Sequence, residues 1–164
     1  ESLYGAGRPY DNMVGVTMGT GIGTGVIINR RLYCGQYMGA GELGSLPYLD
    51  SDFEHYCSSF FFKQRGTTGV LAAEEAAQGD SDALDIWKEF GLHLGNLMKV
   101  ILYVYAPQAI VLGGGIVAAF PLFKEAMENE MQSFPYKIIL NNVKVIASQQ
   151  KDASLLGASA LLEE

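Results

Sequence analysis

Apolar residues at alternate positions, Val14, Val16 and Met18, predict a strand over residues 12–18 with one face buried. Two more apolar runs, at 26–28 and 32–34, are separated by the turn residues Asn29, Arg30 and Arg31 and predict second and third strands. Ahead of them, residues 1–5 read as the tail of a helix stopped by Gly5 and Gly7. After a glycine-rich loop over residues 35–44 the period changes from two to that of a helix. Asp52 is placed to cap a helix running through Glu54 and Tyr56 to Gln64, with Gly66 as its stop. Thr67 or Thr68 caps a second helix, 70–78, followed by Gly79. Ser81 or Asp82 opens the longest one, which Pro107 ends. On that helix Leu84, Trp87, Leu94, Met98, Ile101 and Tyr105 follow helical spacing. Gly91 and Gly95, four apart, leave a face that another backbone can approach closely. Residues 109–112 form a buried strand that runs into three glycines. A helix over 121–131, a strand over 142–146 and a closing helix over 153–162 complete the chain. This order of elements is that of an α/β protein.

Composition narrows the function classes. A chain of 164 residues fits one domain, and 49% hydrophobic against 18% charged residues is enough to build a core and excludes disorder. The formal charge of −7 argues against a nucleic-acid surface on this domain, which would need a basic stripe. Two cysteines, Cys34 and Cys57, make no disulfide scaffold and no metal-binding array. The longest apolar stretch, residues 101–117, is interrupted by Pro107 and three glycines, so no membrane span is expected. The first residues carry no signal-peptide pattern. With the acidic balance this points to the cytoplasm. The chain starts at Glu1 without an initiator Met and reads as cut from something longer.

Two glycine-rich turns carry the candidate chemistry. The first, Gly19-Thr20-Gly21-Ile22-Gly23-Thr24-Gly25, joins two strands, unlike the dinucleotide fingerprint or the P-loop, which open a helix. Glycines there let successive N–H groups point into one concavity, and a threonine hydroxyl adds a donor, so the turn can hold phosphate. It is equally readable as a tight hairpin that needs positive φ. The second, Gly113-Gly114-Gly115, follows a buried strand at the edge where open α/β sheets bind ligands. Packing room alone is the alternative there. Taken together, the turns suit a nucleotide with its phosphates at the first and its adenosine at the second.

At this point the sequence resembles the ROK family of repressors and sugar kinases, nearly end to end. Matching segments occur in family order: GTGIGTG at 19–25, Gly41-Glu42-Leu43-Gly44-Ser45, Phe53-Glu54-His55-Tyr56-Cys57-Ser58, Ile110 through Gly115, and Leu156-Gly157-Ala158-Ser159. The resemblance implies an actin/hexokinase-like ATPase lobe, a mixed β-sheet flanked by helices. It also implies that Gly19, Thr20, Gly21, Gly23 and Gly25 hold the phosphates of ATP with Mg²⁺, while Gly113, Gly114 and Gly115 admit the adenosine. Glu42 and Glu54 match the family's sugar-gripping acids, since a carboxylate can accept from two neighbouring hydroxyls. Without the resemblance, Glu42 reads as a solvated loop charge and Glu54 as an acid favoured by a helix N-terminus.

The departures from the family pattern are as specific. Ser45 stands where the family has a histidine that serves both sugar and zinc, and residues 46–53 form a short bridge with no cysteine in place of the zinc loop. No zinc is therefore expected, and sugar selectivity should be altered. His55 reads as a helix-face residue, and His93 as surface or packing. The family's catalytic Asp lies upstream of the position of Glu1, and Asp11, Asp50 and Asp52 read as loop or cap residues. The reading favoured is the C-terminal lobe of an ATP-dependent kinase for a hexose or an N-acetylated amino sugar, inactive as this piece alone. The rival is a sugar-sensing repressor with a DNA-binding helix-turn-helix ahead of this lobe, and a non-catalytic assembly protein is a third option. The resemblance further implies a homo-oligomer, dimer or tetramer.

Overall fold

The computed structural model describes residues 1–150 and 153–160. Its strands are β1 (Met13–Met18), β2 (Ile22–Ile28), β3 (Arg31–Leu32), β4 (Pro47–Tyr48), β5 (Ser51–Asp52), β6 (Ala109–Gly113) and β7 (Lys144–Ala147). The helices are α1 (Phe53–Cys57), α2 (Ser59–Gln64), α3 (Gly69–Ala77), α4 (Ser81–Tyr105), α5 (Phe120–Met131), α6 (Lys137–Asn142) and α7 (Ala153–Ala160). Five strands make one mixed sheet in the order β3-β2-β1-β6-β7, and β4 and β5 form a separate small ribbon. Within the main sheet β1 pairs antiparallel with β2 and parallel with β6, and β6 pairs parallel with β7.

The alternation read in β1 is what sets its two faces. Val14, Val16 and Met18 are fully buried and join the large core beneath α4 and α5. Met13 faces the other way, into a smaller cluster with Ala109 and Val111. The uninterrupted apolar run of β6 is explained by burial on both faces, as parallel strands require. On α4 the core face comprises Trp87, Phe90, Leu94, Leu97, Met98, Ile101 and Leu102. Leu84, expected inside, is exposed instead. The close approach predicted for Gly91 and Gly95 is present: a Cβ on Gly91 would lie 2.5 Å from the Phe123 carbonyl oxygen of α5, and one on Gly95 2.8 Å from that of Met127.

Several boundaries differ from the sequence reading for local reasons. Residues 1–9 form successive turns, with the Gly5 N–H donating to the Glu1 carbonyl at 2.9 Å, and no helix. The helix read over 52–64 is two helices, because buried Ser58 adopts extended backbone and its side chain caps α2 through the Phe60 N–H. The third strand holds only Arg31 and Leu32, so Tyr33 and Cys34 lie beyond it. Asp80, and neither Ser81 nor Asp82, caps α4 by accepting from the Ala83 N–H. Thr68 caps α3. The strand read from 142 begins at Lys144 because α6 occupies the residues before it. Of the closing helix, residues 161–162 lie outside the described residues.

Parallel pairing of β1 with β6 brings their C-terminal ends side by side, Thr17 opposite Gly113. Both glycine-rich turns therefore leave the sheet at the same edge.

Candidate functional site

The first turn is narrower than its motif. Gly19, Thr20 and Gly21 make the reversal, closed by the Gly19 N–H donating to the Gly21 carbonyl at 3.1 Å. Gly23 and Gly25 lie within β2, opposite Thr17 and Gly15, and take no part in the reversal. The start of α2 braces the turn: the Ser59 N–H donates to the Gly19 carbonyl at 2.8 Å and the Ser59 hydroxyl to the Thr20 carbonyl at 3.5 Å. From α1, the Glu54 carboxylate accepts the Ile22 N–H at Oε2, 3.0 Å away. A Cβ on Gly21 would stand 2.3 Å from that oxygen, so glycine is needed to seat the carboxylate there.

In the second turn Gly113 ends β6, Gly114 has φ 87°, and Gly115 opens a 3₁₀ turn over Gly115–Ala119 that leads into α5. A Cβ on Gly114 would come within 2.3 Å of the Met18 carbonyl oxygen, whereas one on Gly115 would meet nothing within 4 Å. Gly114 is thus tied to β1, and Gly115 borders open space.

The two turns share a cavity of about 610 Å³, bounded by Gly19, Gly115, Ile116, Val70, Ala73 and Trp87. Its size falls in the range of small-molecule pockets, about 300–1,000 Å³, and its wall is largely apolar. The α3 wall was not singled out in the sequence. The signal present was Val70, Ala73 and Ala77 at helical spacing, small residues on one face of α3. Trp87 Nε1 is the one buried side-chain polar atom without a hydrogen-bond partner among the described residues. A second cavity, about 540 Å³, is lined by Glu1, Gly15, Thr17, Gly113, Gly114 and Ser148.

The two segments read as sugar-facing both meet Ile22, the residue that follows the first turn. Glu42 is exposed, makes no hydrogen bond with its side chain among the described residues, and precedes the short 3₁₀ turn Leu43–Ser45. Ser45 is exposed at the end of that turn. Gly44 between them presses on Ile22, with 2.9 Å from its notional Cβ to the Ile22 side chain, and it is the Ile22 N–H that Glu54 holds. Glu54, half-buried, sits in the first turn of α1.

The other candidate acids are structural. Asp11 pairs with Arg30 at 2.9 Å, Asp50 accepts from the Tyr56 hydroxyl, and Asp52 caps α1 through the His55 N–H at 2.9 Å. Desolvation works to raise the Asp52 carboxyl, but hydrogen bonds from the His55 ring and N–H hold it below its ordinary value. His55 also stacks on Phe60, as a helix-face residue would. Burial pushes the Cys57 thiol well above its ordinary pKa. No group of three or more His, Cys, Asp or Glu side chains able to hold a metal occurs among the described residues, and none of their helices is long and apolar enough to cross a membrane.

His93, packed against Tyr48, Tyr56 and Phe61, meets the Tyr48 hydroxyl at 3.0 Å through Nδ1. Burial lowers its pKa against the opposing pull of Glu89. Its folded pKa lies below the unfolded value of about 6.5, so the unfolded chain takes up the proton first as pH falls. The His93 contribution to stability should be constant above that value and fall below it, by at most about 1.4 kcal/mol per pH unit for one proton. Denaturant titrations of wild type and His93→Gln between pH 7.5 and 5 would check this. The wild-type slope in that window should flatten in the variant.

The five-stranded mixed sheet flanked by helices, with paired glycine turns at one edge, is shared with solved structures of the hexokinase-like ATPase fold. The chain belongs to the ROK family, whose profile matches residues 1–164. It is 28% identical over 182 residues to the xylose repressor of Bacillus subtilis, covering 99% of this chain and 47% of that protein. With the glucokinase of Thermotoga maritima it shares 26% over 196 residues, covering 100% of this chain and 62% of the other. The crystal structure of a ROK family glucokinase from Streptomyces griseus, in complex with glucose and AMPPNP, superposes with a TM-score of 0.85. That match has 24% identity, covers 98% of this chain and 63% of the other, and establishes the fold. The family includes sugar kinases and sugar-responsive repressors, and relatives of both kinds match this chain. The chain spans about half to three-fifths of their length.

Proposed function

We propose that the full-length protein is a cytoplasmic ATP-dependent sugar kinase acting on a hexose or an N-acetylated amino sugar, and that this chain is its C-terminal lobe. The observation that carries the reading is the single cavity bordered by both glycine turns, Gly19 at one end and Gly115 at the other. No Cβ would meet anything within 4 Å at either glycine, so a ligand can lie directly on the backbone. The apolar α3 wall suits a base.

In this reading the turn at Gly19, Thr20 and Gly21 offers the Thr20 and Gly21 N–H groups to the phosphates, with Gly23 and Gly25 leaving one face of the adjoining strand without side chains at its start. Of Gly113, Gly114 and Gly115, it is Gly115 that gives the adenosine access, while Gly114 seats the turn against β1. Glu42, Ser45 and Glu54 face the sugar. Mg²⁺, entering with the nucleotide, supplies charge neutralisation at the transferred phosphoryl group. The base that takes the sugar hydroxyl's proton is an Asp outside this chain, so residues 1–164 alone should not turn over ATP. Closure of two lobes excludes water. A homo-oligomer is part of the proposal.

The test is ADP release by the full-length protein with Mg²⁺ against a panel of hexoses and amino sugars. Sugar-dependent release is expected, and Glu42→Gln should weaken it by about tenfold or more, the value of one hydrogen bond to a charged group. The second reading, a sugar-sensing repressor, is favoured by the similarity to the xylose repressor and by Ser45 in place of a histidine. Sugar binding without any turnover would select it and reject the kinase.

A further inference from the structure

The Glu54 carboxylate touches the glycine turn, and the two ligand sites of the proposed kinase meet there. Oε2 accepts the Ile22 N–H at 3.0 Å, a contact across 32 residues of chain. Among the described residues no other donor reaches the carboxylate, so Oε1 and the second lone pair of Oε2 are free to accept from a ligand. The absence of a Cβ at Gly21, only 2.3 Å from where Oε2 sits, is what lets the carboxylate lie against the turn. The 3₁₀ turn after Glu42 presses on the same Ile22 through Gly44. A ligand that fixes the Glu54 carboxylate therefore also fixes the residue at which the glycine turn enters β2.

We propose that Glu54 is shared: one oxygen braces the phosphate turn through the Ile22 N–H while the other accepts a sugar hydroxyl, so that sugar and nucleotide each tighten the binding of the other. This rests on the kinase reading for the sugar and nucleotide sites. A sugar hydroxyl on Oε1 holds the carboxylate in the rotamer that also satisfies Ile22, and the turn is then preorganised for phosphate. Thermodynamic reciprocity requires the same factor in both directions, and couplings of this kind are about 5–150-fold.

Two substitutions separate the roles. Glu54→Gln keeps an amide oxygen that can accept the Ile22 N–H but removes the charge offered to the sugar. Glu54→Ala removes both. Calorimetric titration of the full-length protein with AMPPNP, with and without saturating glucose or N-acetylglucosamine, reads the two affinities and their coupling. Glu54→Gln should weaken sugar roughly tenfold and weaken AMPPNP in the absence of sugar clearly less than Glu54→Ala does, because its amide oxygen still accepts the Ile22 N–H. Glu54→Ala should weaken both, AMPPNP by roughly five- to tenfold, and bring the coupling factor close to one. Gly21→Ala, which displaces the carboxylate while leaving its charge, should also reduce the coupling, and it keeps the test open if Glu54→Ala does not fold.

AMPPNP affinity unchanged in Glu54→Ala, or coupling unchanged in both Glu54→Ala and Gly21→Ala, overturns the proposal. Sugar affinity indifferent to Glu54→Gln overturns the shared role as well, by removing the sugar from Glu54, and leaves the kinase reading to be judged by ADP release. A wild-type protein that binds sugar but no AMPPNP and releases no ADP rejects the kinase reading itself.

Discussion

Gly91→Val is expected to destabilise the protein by about 3 kcal/mol, lowering Tm by roughly 6–12 °C for a domain of this size. A Cβ at this position lies 2.5 Å from the Phe123 carbonyl oxygen, 2.9 Å from the Ala126 Cβ and 3.1 Å from the Met127 N. Two of these atoms are backbone of α5, so no side-chain rotation relieves the contact. The helices must move apart, and this is the contact beneath which Trp87, Phe90 and Phe123 interlock, their ring centroids 5.3–5.8 Å apart. Valine regains a few tenths of a kcal/mol of helix propensity over glycine, far less than the overpacking removes. Gly157, in α7, is the control: nothing lies within 4 Å of its notional Cβ, so Gly157→Ala should be neutral or stabilising by up to about 1 kcal/mol. Denaturant melts of the two variants check both halves. If Gly91→Val fell within about 0.5 kcal/mol of wild type, α4 and α5 would not be held at this distance.

How much of this was legible in the sequence depends on the range of the interaction that decides it. The Val14, Val16, Met18 alternation, the continuous run of β6, the Asp52 cap and the close helix approach at Gly91 and Gly95 are written in local spacing, and the structure has each of them; for α3 the spacing left Thr67 or Thr68, and the cap is Thr68. Ser58 defeats the local reading because the residues around it, Tyr56 to Phe61, continue an apolar helical pattern. Only the choice of Ser58 to bond the Phe60 N–H interrupts it. Residues 137–142, Lys-Ile-Ile-Leu-Asn-Asn, form a short segment with two adjacent β-branched isoleucines, and periodicity alone does not separate a helical turn from a strand at that length.

At the candidate site the motifs located both glycine turns, but their division of labour required three dimensions. GTGIGTG shows four equivalent glycines, which alternate along residues 19–25 with Thr20, Ile22 and Thr24, yet only Gly19 to Gly21 form the reversal and Gly23 and Gly25 are strand. Glu54 reads as a helix-start acid, and in one sense it is. Its bond to Ile22 becomes visible only when β2 and α1 lie together, and so does the α3 wall of the cavity opposite Gly115.

The triple glycine separates in the same way, and Gly114→Ala should show it with an effect comparable to that at Gly91. Alanine at φ 87° costs roughly 1–2 kcal/mol in backbone strain alone. Its Cβ would also stand 2.3 Å from the Met18 carbonyl oxygen, 2.7 Å from the Met18 N and 2.8 Å from the Met18 carbonyl carbon. Met18 is fully buried at the end of a strand paired on both edges, to β2 and β6, and cannot retreat. The turn must therefore move, carrying Gly115 and Ile116 away from the cavity they border. A loss of about 3 kcal/mol is expected, with nucleotide affinity falling at least about tenfold in whatever fraction stays folded. Gly113→Ala meets only the Thr17 methyl, at 4.0 Å, and Gly115→Ala meets nothing, so both should keep near-wild-type stability. Gly115→Ala should nonetheless weaken AMPPNP, because its methyl group would occupy space facing the ligand. Stability measured without nucleotide, set beside AMPPNP affinity, resolves the three. Equal stability losses across all three would mean that the turn is a packing device throughout, and the open space beside Gly115 would lose its claim to a ligand.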